Sequence, residues 1–289
     1  MQLPALPNGL SEIAQDYDAI LCDVWGVIHN GRDAYLEACA ALSRYRETRG
    51  PVVLISNAPR PSTVLYGQLD DCGVPREAWS AYVTSGDVTR ALLAERAPGP
   101  AWAVGPARDA PLYEGLGLDF VDDPALAAFM SCTSPFDDEV EGPEDYRERF
   151  QVARAKGLEM ICANPDLMVQ KGDRLIYCAG ALAQLYESLG GRAVMAGKPH
   201  APIYTRALTE LTGLMGRSVD PSRILCIGDG VGTDVRGAER QGLDCLFLWG
   251  GVHAADLTQG VEAIAAERAA AFLAKHATVA RYAMPELAW

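Results

Sequence analysis

The sequence predicts a doubly wound α/β fold with a parallel sheet, and a smaller α/β domain inserted into it. Short runs of consecutive apolar residues alternate with longer segments of helical spacing, as in domains built from β-α-β units. The apolar runs are continuous, which is typical of strands buried on both faces of a parallel sheet. Together these observations favour a Rossmann-like core.

Four apolar runs are the predicted strands of this core: Ala19–Cys22, Val52–Ile55, Ile224–Ile227 and Leu246–Trp249. Polar side chains follow three of them: Asp23 after the first, Ser56 and Asn57 after the second, and Asp229 after the third. Ligands of open α/β sheets bind at the carboxyl ends of the strands. We therefore expect these side chains to converge on one crevice.

Segments with apolar residues at helical spacing are predicted helices: Ala34–Thr48, Pro202–Thr212, Gly237–Gly242 and Gly260–His276. The first of them is followed by Gly50 and Pro51, a common helix-stop signal. The C-terminal segment Tyr282–Trp289 is apolar for a chain end, and we expect it to pack on the core.

The middle of the chain lacks the polar strand ends of the core. It contains four further strand candidates: Trp102–Val104, Asp119–Val121, Phe129–Cys132 and Met160–Ala163. An acidic loop, Phe136–Tyr146, is expected to be exposed to solvent. We divide the chain into a first core part at 1–84, an inserted domain at 85–182 and a second core part at 183–289.

Composition excludes several classes of function. The net charge is −13 and the isoelectric point is near 4.7, so we expect no binding to nucleic acid or to anionic membranes, which need a basic surface. We expect no signal peptide, because no basic stretch precedes an apolar one near Met1, and no apolar run approaches the roughly 20 residues of a membrane span. The eight cysteines include no C-x-x-C pair, which argues against zinc and favours reduced thiols in a cytoplasmic protein.

Two short motifs point to a metal and an anion. Asp229 and Asp234 lie in the segment GDGVGTD. A phosphate loop of bare amides would not carry two carboxylates, whereas carboxylates suit a hard cation such as Mg²⁺. A simple Gly/Asp turn after a strand is the alternative. Lys198, in GKPH, could direct its ammonium at an anion, or it could be a surface lysine.

Five segments carry a family resemblance: Asp23–Gly31, Leu54–Ser62, Ala163–Asp166, Ala196–Pro199 and Gly228–Asp234. In order and spacing they resemble the motifs of the haloacid dehalogenase-like superfamily, and within it the class IIA (NagD-like) phosphatases with an inserted cap domain. The resemblance covers nearly the whole chain, so the inserted domain at 85–182 would be the cap.

The resemblance implies a metal-dependent phosphatase. Asp23 would be the nucleophile that takes up the phosphoryl group. The Asp23 carboxylate, the backbone carbonyl of Trp25 and the side chain of Asp229 would bind Mg²⁺, supported by Asp234.

It also implies residues that bind the phosphoryl group. Ser56 and the Asn57 amide would contact its oxygens, and Lys198 would offset negative charge. Asn164 belongs to the N-P-D sequence and would lie near the substrate. We expect a small phosphorylated metabolite as substrate, such as a sugar phosphate, a nucleotide or an aryl phosphate, and a homodimer formed through the cap.

One position departs from the family pattern. The usual D-x-D motif has a second aspartate as general acid/base, and this chain has Trp25 there. Losing a general acid/base typically costs about 10²–10⁴-fold in rate. His29, six residues after Asp23, is a candidate substitute, with an ordinary loop histidine as the simpler interpretation.

Three interpretations of Trp25 remain open. The protein is a phosphatase that is slow, or that relies on another group or on an acidic leaving group. It is a non-catalytic phosphate-binding or metal-binding protein. It is a dehalogenase, since these carry an aromatic residue at this position; however, they work without Mg²⁺, and this chain retains Asp229 and Asp234.

Overall fold

A computed structural model describes residues 3–171, 174–258 and 265–289. Its strands are β1 (Ala19–Cys22), β2 (Val52–Ser56), β3 (Ala81–Thr84), β4 (Ala101–Val104), β5 (Phe129–Cys132), β6 (Glu159–Cys162), β7 (Met168–Lys171), β8 (Arg174–Tyr177), β9 (Arg192–Met195), β10 (Ile224–Gly228), β11 (Asp244–Leu248) and β12 (Tyr282–Met284). Its helices are α1 (Leu36–Thr48), α2 (Ser62–Asp71), α3 (Ser85–Ala94), α4 (Arg147–Ala155), α5 (Ala179–Ser188), α6 (Ala201–Met215), α7 (Arg236–Gln241), α8 (Ala254–Thr258) and α9 (Ala266–Lys275).

The chain divides into two compact units. The first unit comprises Met1–Ser56, Leu65–Val83 and Lys198–Trp289, and the second comprises Asn57–Val64 and Thr84–Gly197. The second unit extends past the limit of 182 that we set for the inserted domain. The reason is that β9 pairs with β6 and so completes the sheet of that unit.

A six-stranded sheet forms the first unit, in the order β12-β11-β10-β1-β2-β3. The pairings from β12 through β2 are parallel. Every residue of β1 is fully buried, as expected for a central strand covered on both faces. The predicted parallel α/β fold is therefore confirmed, and β1, β2 and β10 begin at the predicted residues.

The C-terminal segment joins this sheet. It forms β12, which pairs with β11 at the edge, so the expected packing on the core is confirmed. Of the predicted helix Gly260–His276, the structure describes α9, while residues 259–264 lie outside the described part of the chain. Among the described residues, no helix is both long and apolar enough to cross a bilayer.

The second unit has its own parallel sheet, in the order β4-β5-β6-β9, and a separate antiparallel hairpin of β7 and β8. Its core is aromatic: the ring of Phe150 lies edge-on to Trp102 and to Tyr186, with centroids 6.0 and 5.4 Å apart. Such pairs add about 0.5–1.5 kcal/mol beyond their buried area.

One expectation for this region was wrong, and a second holds only in part. Asp119–Val121 is not a strand, because only Phe120 makes a single bridge, to Ala101, and its side chain is half exposed. Most of the acidic loop is exposed, as expected, but two of its residues are buried. Asp138 is buried and pairs with Arg108, while Tyr146 is buried and its hydroxyl donates to Glu141.

Candidate active site

Asp23 directly follows β1 and continues the backbone pairing of that strand. Its N–H donates to the Ile227 carbonyl at 2.8 Å, so the backbone is still held to β10. Its carboxylate is buried, and Oδ1 accepts the N–H of Val24 at 2.7 Å. The position and the orientation of this carboxylate are thus set by the sheet and by the first residue of the following loop.

The strand register brings three predicted site residues to one edge of the sheet. Cys22 of β1 pairs with Leu54 of β2 and with Ile227 of β10. Asp23, Ser56 and Asp229 follow these partners within one or two residues, and each is buried. The predicted convergence at the carboxyl ends of the strands therefore holds for this group.

Three buried carboxylates lie close together, and a buried lysine pairs with two of them. Asp23, Asp229 and Asp234 each offer an oxygen, and these oxygens lie within 4.8 Å of one another. The Lys198 Nζ donates to Asp23 Oδ1 at 2.6 Å and to Asp234 Oδ1 at 2.7 Å. The side chain of Lys198 is 3% exposed, so it is a buried ion-pair partner and not a surface lysine.

The pKa values in this cluster reflect burial and an excess of carboxylates over cations. Burial, and then the charge of Asp234, raise the pKa of Asp23 well above its usual value, and the same two causes raise the pKa of Asp229 to about 6. Burial alone would lower the pKa of Lys198, but its pairs with Asp23 and Asp234 raise it above the usual value.

The ionised cluster fits a hard divalent cation. Three carboxylates and one ammonium carry a net charge of two units, negative, in a buried space. Oxygen donors from carboxylates are the ligands that Mg²⁺ and Ca²⁺ prefer, and a divalent ion would balance that charge.

The Asp229 carboxylate lies in a cradle that only glycines can form. Its Oδ2 accepts the N–H of Val252 at 2.9 Å. A Cβ on Gly26 or on Gly251 would clash with the same oxygen, and Gly26 also has a positive φ of 82°. Our interpretation of the sequence did not assign a role to these residues, although the glycine pair that follows β11 was a visible signal.

Asp234 is held by a turn of its own. Residues Val231–Val235 form a single π-helical turn, a feature that often occurs at functional sites. The N–H of Gly230 donates to Asp234 Oδ2 at 3.1 Å. A Cβ on Gly228 would clash with the Asp234 carboxylate, so the first and third residues of the segment GDGVGTD both help to position this side chain.

Trp25 presents its indole at the surface of the loop after Asp23. The residue is 48% exposed. Its ring lies against Gly31, where a Cβ would clash with it and where φ is +87°. The ring of His29 meets it edge-on, with centroids 5.5 Å apart. The indole is therefore held in place by the loop while much of its surface stays open.

His29 has a structural role in the same loop. It is 2% exposed, and its Nδ1 accepts the N–H of Gly31 at 2.9 Å. Burial lowers its pKa to about 4, so the ring is neutral at pH 7. These contacts favour the simpler interpretation of His29 over that of a replacement acid/base.

Asn57 and Asn164 belong to the second unit and contact a common partner there. The Asn57 amide donates to Asp166 Oδ1 at 2.8 Å, and the Asp166 N–H donates to Asn164 Oδ1 at 3.0 Å. Gly197 packs against Asn57, where a Cβ would clash with the amide oxygen. Their expected contacts with substrate stay predictions.

All eight cysteines are free and buried. Burial raises the pKa of Cys22, Cys132 and Cys245 well above the usual value. This agrees with reduced, unreactive thiols in the core.

Comparison with known families gives two matches along the chain. A family model described as haloacid dehalogenase-like hydrolase matches residues 20–119. A second, described as HAD-hydrolase-like, matches residues 195–277. The two matches include the segments of Asp23, Ser56, Lys198 and Asp229.

Individual proteins are similar over most of their length. A crystal structure of a hydrolase of the haloacid dehalogenase-like family from Brucella suis is 48% identical, with a TM-score of 0.84, and the match covers 98% of this chain and 100% of that one. A 5'-nucleotidase of Bacillus subtilis is 23% identical, over 82% of this chain and 88% of its own. A glycerol phosphate phosphatase of Mycobacterium tuberculosis, solved in complex with calcium, is 25% identical with a TM-score of 0.63, over 86% and 71%.

Proposed function

Since this chain belongs to the haloacid dehalogenase-like hydrolase family, we propose that it is a Mg²⁺-dependent phosphomonoester hydrolase that works through an aspartyl-phosphate on Asp23. The observation that carries the proposal is the buried group of Asp23, Asp229, Asp234 and Lys198. Two of the similar proteins are named a 5'-nucleotidase and a glycerol phosphate phosphatase, which supports a phosphate ester as substrate.

Asp23 is suited to act as the nucleophile. Both hydrogen bonds described for its carboxylate, from Val24 and Lys198, end on Oδ1. In the first step a carboxylate oxygen attacks phosphorus, and the bond from phosphorus to the leaving oxygen breaks. In the second step water attacks the aspartyl-phosphate, which releases inorganic phosphate and restores the carboxylate.

The metal would be held by the Asp23 and Asp229 carboxylates and the Trp25 carbonyl, supported by Asp234. When bound, Mg²⁺ supplies Lewis-acid stabilisation of negative charge on the phosphoryl oxygens. The calcium in the structure of the M. tuberculosis relative supports a divalent ion of this kind. Lys198 offsets the charge of Asp23 while the phosphoryl group is bound.

The remaining site residues would contact the substrate. The Ser56 hydroxyl follows β2 at the same sheet edge as Asp23 and would donate to a phosphoryl oxygen. Asn57 and Asn164 would also contact the substrate, and the region 85–182 would act as the cap that selects it. The substrate would be a small phosphorylated metabolite, and copies of the chain would pair through the cap in the cytoplasm.

The test is phosphate release from p-nitrophenyl phosphate. We expect release that depends on Mg²⁺, is abolished by EDTA and is lost in Asp23→Asn. Asp71→Asn, which removes the same charge from an exposed position, serves as the matched control and should keep wild-type activity. Equal activity of Asp23→Asn and Asp71→Asn would contradict the proposal.

Trp25 favours a second candidate function. Because the position of the general acid/base carries an indole, the site could bind Mg²⁺ and phosphate without turnover and serve as a regulatory protein. Saturable binding of inorganic phosphate in the presence of Mg²⁺, with no release from any ester tested, would favour this function over hydrolysis. A Mg²⁺-independent release of halide from 2-haloacids would instead indicate the third interpretation, a dehalogenase.

A further inference from the structure

We propose that Trp25 makes this enzyme selective for phosphate compounds whose leaving group departs without a proton, namely acyl, enol and activated aryl phosphates. The inference rests on the proposed function and names the substrate class of the same site. In it, Trp25 is a residue that determines specificity through chemistry and not through shape alone.

The loop fixes Trp25 next to the nucleophile. The Gly26 N–H donates to the His29 carbonyl at 2.9 Å, and the amides of Val27 and Ile28 both donate to the Val24 carbonyl, at 3.3 and 3.0 Å. Gly31 provides the flat surface on which the indole lies. This position, two residues after Asp23, therefore carries a ring whose only polar hydrogen is an indole N–H, which does not ionise in the physiological range.

The ionisable groups of the carboxylate cluster and of the loop after Asp23 are poor substitutes for the missing acid. Lys198 is shared between two carboxylates, at 2.6 and 2.7 Å, and is almost completely buried. Asp234 accepts that ammonium, and Asp229 accepts the Val252 N–H and lies in its glycine cradle. His29 is buried with its Nδ1 bonded to Gly31.

The consequence follows from the balance of the first step. When the Asp23 oxygen bonds to phosphorus, the leaving oxygen departs with the electron pair of the broken bond. Without a proton donor the leaving oxygen departs as an anion, so the activation free energy rises with the pKa of its conjugate acid. That pKa is about 4 for a carboxylic acid and about 10 for a phenol, whereas the pKa of a simple alcohol is far higher, close to that of water.

The second step needs no general acid, because a carboxylate leaves without a proton, although Trp25 also supplies no general base for the water. Water attacks the aspartyl-phosphate, the leaving group is the Asp23 carboxylate, and the proton lost by water passes to solvent. This step is the same for every substrate. The selectivity should therefore be seen in kcat/KM, which reports the first step, and less in kcat.

The experiment measures kcat/KM against leaving-group pKa at saturating Mg²⁺. A series of phenyl phosphates with meta and para substituents keeps the shape constant while it changes the acidity. Acetyl phosphate has an acidic leaving group that is not aromatic, and the leaving group of glycerol 3-phosphate is neither acidic nor aromatic. These two compounds separate the effect of leaving-group acidity from that of stacking on the indole. Asp23→Asn gives the background for spontaneous hydrolysis.

In the wild-type protein we expect kcat/KM to fall steeply with leaving-group pKa, and acetyl phosphate to exceed glycerol 3-phosphate by at least about 10²-fold, the low end of what a general acid contributes. Trp25→Asp should flatten the slope and raise kcat/KM for glycerol 3-phosphate by about 10-fold or more. Trp25→Asn introduces a side chain of the same shape as aspartate but without its acidic proton, so it should keep the steep slope.

Each negative result of this experiment leads to a different conclusion. A flat slope in the wild-type protein would mean that some other group protonates the leaving oxygen, and it would overturn the inference while the proposed function stands. Equal slopes in Trp25→Asp and Trp25→Asn would also overturn it, because the indole would then matter only through packing. No Asp23-dependent release from any of these compounds would instead refute the proposed function.

Discussion

Asp229→Asn should make the metal-free protein more stable, although Asp229 is proposed as a metal ligand. Burial and Asp234 raise the pKa of Asp229 from 3.8 to about 6. Each pKa unit corresponds to about 1.4 kcal/mol, so at pH 7 and above the ionised side chain destabilises the folded state by up to about 3 kcal/mol. The asparagine oxygen can still accept the Val252 N–H, so we expect a net gain of about 1–3 kcal/mol.

The stability difference between Asp229→Asn and wild type should depend on pH. The folded-state pKa lies above the unfolded value, so Asp229 has no destabilising effect below pH 3.8. The destabilisation then grows between pH 3.8 and about 6. In EDTA, the difference between Asp229→Asn and wild type should be largest above pH 6 and should vanish as the pH falls toward 4.

Urea unfolding followed by circular dichroism measures both effects. With EDTA at pH 7.5, Asp229→Asn should unfold at a higher urea concentration than wild type, while the exposed control Asp71→Asn should stay within about 0.5 kcal/mol of wild type. With Mg²⁺, wild type should gain stability and Asp229→Asn should gain far less. A less stable Asp229→Asn in EDTA, or equal stabilisation of both by Mg²⁺, would refute the reasoning.

Three further predictions concern neighbouring residues. Lys198→Met leaves the carboxylates of its two partners without their buried cation, so in EDTA it should lose about 3–5 kcal/mol, partly restored by Mg²⁺ in the same urea assay. Gly26→Ala requires a strained φ and a clash with Asp229, so it should lose at least about 1 kcal/mol and need more Mg²⁺ for half-maximal activity in a metal titration. Burial lowers the pKa of His29 from 6.5 to about 4, so the free energy of unfolding should decrease by up to about 3 kcal/mol as the pH falls from 6.5 to 4. In thermal unfolding, His29→Gln should not show this contribution to the loss of stability.

The sequence was sufficient for the core of the first unit because its signals are local. A continuous apolar run followed by a polar residue marks β1, β2 and β10, and the register of those strands then brings Asp23, Ser56 and Asp229 to one edge. The family predicted from the motifs is confirmed by the comparisons. The roles of the individual site residues stay predictions.

The structure added what depends on contacts between distant segments. Gly251 and the Val252 N–H reach Asp229 from the loop after β11, and no local pattern connects these positions. The π-helical turn that holds Asp234 is likewise invisible in a pattern of apolar residues. In the second unit, β9 was missed because its four residues, RAVM, are partly exposed and give neither a continuous apolar run nor a clear alternation.

The buried cysteines can serve as intrinsic probes of local unfolding in this protein. Cys22, Cys39, Cys72, Cys226 and Cys245 lie in the first unit, and Cys132, Cys162 and Cys178 in the second. Alkylation requires a thiolate that reagent can reach, so each thiol should react only when its surroundings open. The labelling rate of each cysteine, read by mass spectrometry with and without Mg²⁺, would then report the local opening free energy of both units without any engineered label.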